Sequence, residues 1–126
     1  HETKNRITIV KNYGKLPPIK CYPNMLNQVF MNILVNAAHA IKKEGIITID
    51  TGFLDNNLIV KIKDNGCGIK EPDKIFFAGY TTKGVGVGTG LGLAISQKII
   101  EKHNGKIEVK TKINEGSEFV ITIPSG

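Results

Sequence analysis

The sequence contains no tryptophan, a single arginine (Arg6) and only two cysteines in 126 residues. Without tryptophan, and with no aromatics set among basic residues, it lacks the stacking platform of a nucleic-acid groove. Cys21 and Cys67 stand far apart with no metal-ligand spacing around them. Neither a zinc site nor a disulfide framework is expected, and both read as free thiols of a reducing compartment. No apolar run approaches the roughly 20 residues of a membrane helix, and no signal peptide is visible. The net charge of +6 is almost entirely lysine, scattered along the chain. Such a surface is either simply solvated or favours an anionic ligand. The length suits one domain, 1–126, with residues 1–5 as a linker, and leaves no room for a second core.

Hydrophobic period supplies the elements. Alternation over Arg6 to Asn12 predicts a strand, and Ile19 to Tyr22, after Pro17-Pro18, a short edge strand. Ile46 to Phe53 and Leu58 to Asp64 flank Asp55-Asn56-Asn57 and predict a hairpin. Gly105 to Lys112 and Ser117 to Ile123 predict a second one around Asn114-Glu115-Gly116. Helical period runs from Asn24 to Lys43 and from Gly90 to His103, with a short helical turn near Glu71 to Phe77. Ala78 to Gly90 has glycines and no period, and reads as a loop. Two hairpins exclude a doubly wound parallel sheet. The expected fold is an α+β two-layer sandwich: a mixed, mostly antiparallel sheet with about three helices on one face.

Three segments carry chemistry. Asn32 and Asn36 fall four apart on the first helix, on a face with Gln28 and His39. Asparagine is a poor mid-helix residue; a polar surface face is one reading, a row of amide oxygens aimed at a cation or polar ligand the other. Asp64-Asn65-Gly66-Cys67-Gly68-Ile69 ends a strand whose Leu58, Val60 and Ile62 share one face with Asp64. A carboxylate on that helix-covered face must be hydrogen-bonded. It is either an Asx-type turn or an acceptor for a buried ligand N–H, with Gly66 and Gly68 letting the ligand lie on the backbone. Last, Thr81-Thr82-Lys83 precedes glycines at 84, 86, 88, 90 and 92, and Gly88-Thr89-Gly90-Leu91-Gly92 leads into a helix, a place where free N–H groups attract anions. The dinucleotide fingerprint is excluded because no strand precedes the glycines, and no Gly-Lys-Ser/Thr phosphate loop is present.

In this order the three segments resemble the catalytic ATP-binding domain of sensor histidine kinases, in the superfamily shared with type II topoisomerases, mismatch-repair ATPases and chaperone ATPases. Gln28 to Ile41 looks like that family's asparagine box, and Gly116 to Pro124 like its closing strand. The resemblance implies Asn36 as the Mg²⁺ ligand and, with Lys83, as catalytic, and Asn32 as support for the phosphates. It implies Asp64 as acceptor from the adenine amino group, with Gly66, Gly68 and Ile69 beside the base. Lys83 and the turn Gly88, Thr89, Gly90, Leu91, Gly92 would hold the phosphates under a lid. His39 stands where many relatives place a Lys or Arg toward the phosphates. Phe76 and Tyr80 match the family's phenylalanine box, while Ala78 and Gly79 depart from its usual Pro and Phe.

The hydrolysing relatives carry a glutamate at the position of Asn32, as general base for water. An amide cannot take that proton, so transfer to another acceptor is favoured over hydrolysis. His1-Glu2-Thr3-Lys4-Asn5 only superficially echoes the family's acceptor motif, since Arg6 replaces its Pro and a strand follows at once. The acceptor histidine is therefore expected on a separate dimerisation domain of the same protein or its dimer mate, with a response regulator as indirect partner. The resemblance implies ATP and Mg²⁺ as cofactors, a cytoplasmic setting even for a membrane-anchored whole, and no nucleic-acid or direct membrane contact. A serine kinase of the anti-sigma-factor type and a non-catalytic nucleotide-gated module are the alternatives.

Overall fold

The computed structural model describes residues 6–78 and 92–125. Strand β1 (Arg6–Tyr13) leads through an extended segment to helix α1 (Pro23–Ala40). Strands β2 (Glu44–Leu54) and β3 (Asn57–Asp64) follow, then a single 3-10 turn at Pro72–Lys74. Helix α2 (Gly92–Lys102), β4 (Lys106–Lys112) and β5 (Gly116–Pro124) complete the order. The sheet runs β1-β2-β3-β5-β4, with β1 parallel to β2 and all other pairs antiparallel. The α+β sandwich is as expected. Its described helical layer holds two helices rather than about three, because the segment near Glu71 to Phe77 closes only i→i+3 turns, from Lys74 N–H to Glu71 O and from Phe77 N–H to Lys74 O.

The parallel pair follows from the connection between its strands: α1 is the crossover that a parallel neighbour needs, whereas β2–β3 and β4–β5 are hairpins closed by two and three residues. Leu54 and Asn57 pair across Asp55 and Asn56, both at positive φ. Two such residues in succession give a hairpin turn whose twist matches the strands.

Proline at the first turn of α1 costs no hydrogen bond, since that N–H has no helical partner. Leu26, Val29, Ile33 and Ala37 bury one stripe of α1 against the sheet. Full burial of each large aliphatic contributes about 1.5–3 kcal/mol. The helix stops at Ala40, three residues before the expected Lys43. The backbone N–H of Cys67 bonds the carbonyl of Ala40 at 3.0 Å, satisfying a last-turn acceptor from outside the helix. Ile41 turns to extended backbone and buries in the core, and β2 begins at Glu44.

Ile19 to Tyr22 joins no sheet, contrary to expectation. Ile19 and Cys21 pack on the core, and the N–H of Tyr22 bonds Nε2 of His103 at 3.0 Å instead of a neighbouring strand. His103 Nδ1 lies 2.8 Å from Ile99 O. A carbonyl only accepts and an N–H only donates, so this ring is neutral with its proton on Nδ1. Tyr22 precedes α1 and His103 follows α2, so the contact holds the two antiparallel helices at one end. Among the described residues, no helix is long and apolar enough to cross a membrane.

A candidate nucleotide site at the ends of α1 and β3

On β3, Leu58, Val60, Ile62 and Asp64 are all buried, so period 2 does carry the carboxylate to the helix-covered face. Asp64 is 3% exposed. Its Oδ1 accepts from Gly66 N–H at 2.8 Å, and the backbone N–H of Ser117, its partner across the sheet, also donates to it. Burial pushes its pKa above the usual carboxylate range, and these two hydrogen bonds oppose that rise without cancelling it. The result is a fixed acceptor, held by main chain, at the edge of the core.

Around it runs a chain of hydroxyls that sequence reasoning missed. Thr111 Oγ1 accepts from Ile69 N–H at 2.9 Å and lies 2.8 Å from Ser117 Oγ. The exit of the Asp64–Ile69 turn is thereby tied to the β4–β5 hairpin. The signal was the register Asp64↔Ser117, which becomes visible only once β3 and β5 are known to pair.

Both glycines of this turn are required by the protein itself. A Cβ on Gly66 would stand 2.5 Å from Ala40 O, and one on Gly68, at φ +78°, 2.5 Å from Lys112 O. The end of α1 and the β4–β5 hairpin close on the turn from two sides. Ile69 is half-buried against the core at the same place.

Asn32 and Asn36 are both half-buried on α1. Asn32 Nδ2 donates to Gly92 O at 3.1 Å and to Ser96 Oγ at 3.2 Å, at the first turn of α2. Asn36 Nδ2 donates to Asn32 O at 2.8 Å. Each amide nitrogen is thus committed to an acceptor inside the protein, so the carbonyl oxygen is the end chemically suited to a cation. Neutral amide oxygens suit Mg²⁺, which takes few protein ligands. The donor set therefore fits the metal, and among the described residues no cluster of three His, Cys, Asp or Glu competes for it. His39, one turn beyond Asn36, is exposed, and Gly92 is brought to Asn32. Lys83, Gly88, Thr89, Gly90 and Leu91, with Gly79 and Tyr80, lie outside the described residues. Phe76 is half-buried against the core.

A buried acceptor at a strand end, amides on the facing helix and a second helix starting beside them define a nucleotide-binding sandwich. Residues 21–126 match the family described as histidine kinase-, DNA gyrase B- and HSP90-like ATPase, and the chain belongs to that family. It is 45% identical over 113 residues to sporulation kinase E of Bacillus subtilis, covering 86% of this chain and 15% of that protein. It is 43% identical over 114 residues to the signal transduction histidine-protein kinase AtoS of Escherichia coli, covering 88% and 18%. The catalytic domain of histidine kinase ThkA superposes with a TM-score of 0.82 at 31% identity, over 94% of this chain and 80% of that one. The fold is that of a histidine kinase catalytic domain, and the chain spans less than a fifth of both curated relatives.

Proposed function

We propose that this domain binds Mg-ATP and hands its γ-phosphoryl group to a histidine on a separate dimerisation and phosphoacceptor domain, as the kinase step of two-component signalling. The observation that carries the reading is the presence in one fold of a buried acceptor suited to a base, Asp64, and two oriented amides suited to a metal and its phosphates, Asn32 and Asn36.

Asp64 accepts from the adenine amino group, while Gly66, Gly68 and Ile69 line the base. Asn36 holds Mg²⁺ through its amide oxygen, and Asn32 and His39 stand toward the phosphates. Lys83 and the segment Gly88 to Gly92 are assigned to the phosphates from their sequence pattern alone. Magnesium, when bound, supplies charge neutralisation on the phosphate oxygens. Asn32 cannot deprotonate a water, so the bound nucleotide is held for an incoming imidazole rather than hydrolysed. The P–O bond to ADP breaks as the P–N bond to the acceptor forms, a transfer that rests on positioning and charge neutralisation. The acceptor domain belongs to the same protein or its dimer mate, with a response regulator downstream. The setting is cytoplasmic, without direct membrane or nucleic-acid contact.

Labelled ATP tests the reading. The isolated domain is expected to bind Mg-ATP, hydrolyse it slowly and leave itself unlabelled; an added acceptor domain is expected to take the label. Stable label on His1, His39 or His103, or brisk hydrolysis by the domain alone, contradicts it.

A further inference from the structure

Ser96 is fully buried in α2, on the side that otherwise presents Ile99 and Ile100 to the core. Its hydroxyl donates to Gly92 O at 2.8 Å, the back-bond that serine makes within a helix. That bond alone would satisfy Ser96, and alanine would serve the helix better. The same oxygen, however, also accepts from Asn32 Nδ2.

We infer that Ser96 is a positioning residue that, together with Gly92 O, sets which end of the Asn32 amide faces the nucleotide. The two ends of an asparagine amide have nearly the same shape, so their partners decide the orientation. Gly92 O can only accept. Ser96 has given its proton to Gly92 O, so it offers lone pairs to Asn32. Both therefore demand the amide nitrogen, and Oδ1 is turned away from α2. A reversed amide would set Oδ1 against a carbonyl and a hydroxyl oxygen. Asn32 thus meets its ligand as an oxygen donor, which serves Mg²⁺ or its bound water and repels a bare phosphate oxygen. The inference builds on the Mg-ATP reading above and narrows the part of Asn32 in it, from support of the phosphates to the metal side of the site.

Two measurements on the native domain and the Ser96→Ala variant test this. In ligand-free protein, the side-chain amide resonances of Asn32 are expected to shift and their hydrogens to exchange faster in Ser96→Ala. In titrations with ATP, the gain in affinity on adding Mg²⁺ is expected to shrink about fivefold, the worth of one neutral hydrogen bond, while magnesium-free affinity holds. In an Asn32→Ala background, Ser96→Ala is expected to change the magnesium gain no further, because the two residues act as one unit. A native domain that binds ATP without any magnesium gain sinks the metal reading and this inference together. A native gain that Ser96→Ala preserves, or an equal loss with and without magnesium, overturns the inference alone.

Discussion

Asp64 lies at a strand end with two main-chain N–H groups turned onto its carboxylate, whereas Asn32 and Asn36 ride on a helix with their amide nitrogens tied to acceptors. The proposed base end presents a charge that donors hold in place against the cost of burial. The proposed metal end presents neutral oxygens, oriented because their nitrogens are occupied. The first arrangement suits a ligand N–H, and under the proposed function it would discriminate between bases. The second suits a hard cation, whose geometry must be exact but whose charge the protein need not match. Removing either end should consequently produce different failures in a domain that still folds.

The largest effect is expected at the metal end. Asn36→Ala removes the amide oxygen yet improves helix propensity at that position, so the thermal melt should stay normal. Losing the metal's charge neutralisation costs several kcal/mol in transfer. Phosphoryl transfer to an added acceptor domain should thus fall at least about a hundredfold, and magnesium should no longer improve ATP binding. A folded Asn36→Ala protein with an intact magnesium response would remove Asn36 from the metal.

At the base end the expected loss is smaller and selective. Guanine would set an oxygen against the Asp64 carboxylate, and a buried mismatch of that kind costs about 1–3 kcal/mol. ATP should therefore bind at least roughly tenfold better than GTP. Asp64→Asn should weaken ATP and erode the preference, with magnesium dependence retained. Competition titrations with both nucleotides decide this, and equal affinities in the native domain would end the assignment.

The sequence announces the two ends to the same extent. Period 2 along Leu58, Val60 and Ile62 is enough to turn Asp64 inward, because one face of a strand repeats every second residue. The spacing of Asn32 and Asn36 similarly puts both on one side of α1. Gly66 and the Asn32 carbonyl hold Asp64 and Asn36 locally, and the other partners come from elsewhere in the chain: Ser117 through the pairing of β3 with β5, and Ser96 and Gly92 through the docking of α2 on α1. Ser96 left a trace, a small polar residue on an otherwise apolar helical stripe. The Ile19 to Tyr22 segment escapes the local pattern for a related reason. Local pattern cannot tell that Tyr22 N–H will find His103, 81 residues away, rather than a neighbouring strand.

The smallest expected effect separates the two ends by pH. Burial raises the pKa of Asp64 in the folded domain above its unfolded value. Between those two values the folded state keeps a proton that the unfolded state has released. The slope of unfolding free energy against pH is set by protons bound unfolded minus folded, and here it is negative. This contribution is thus fully present below the unfolded pKa and is lost as pH rises through the folded pKa. In chemical denaturation across the mildly acidic range, the native domain should lose stability relative to Asp64→Asn as pH rises, until Asp64 is ionised. ATP affinity should run the other way, rising with pH over the same window as the carboxylate becomes the better acceptor. Asn36→Ala keeps Asp64 and should retain both trends, while Asp64→Asn should show neither. A native domain whose ATP affinity is flat across this window would mean that the base does not meet Asp64.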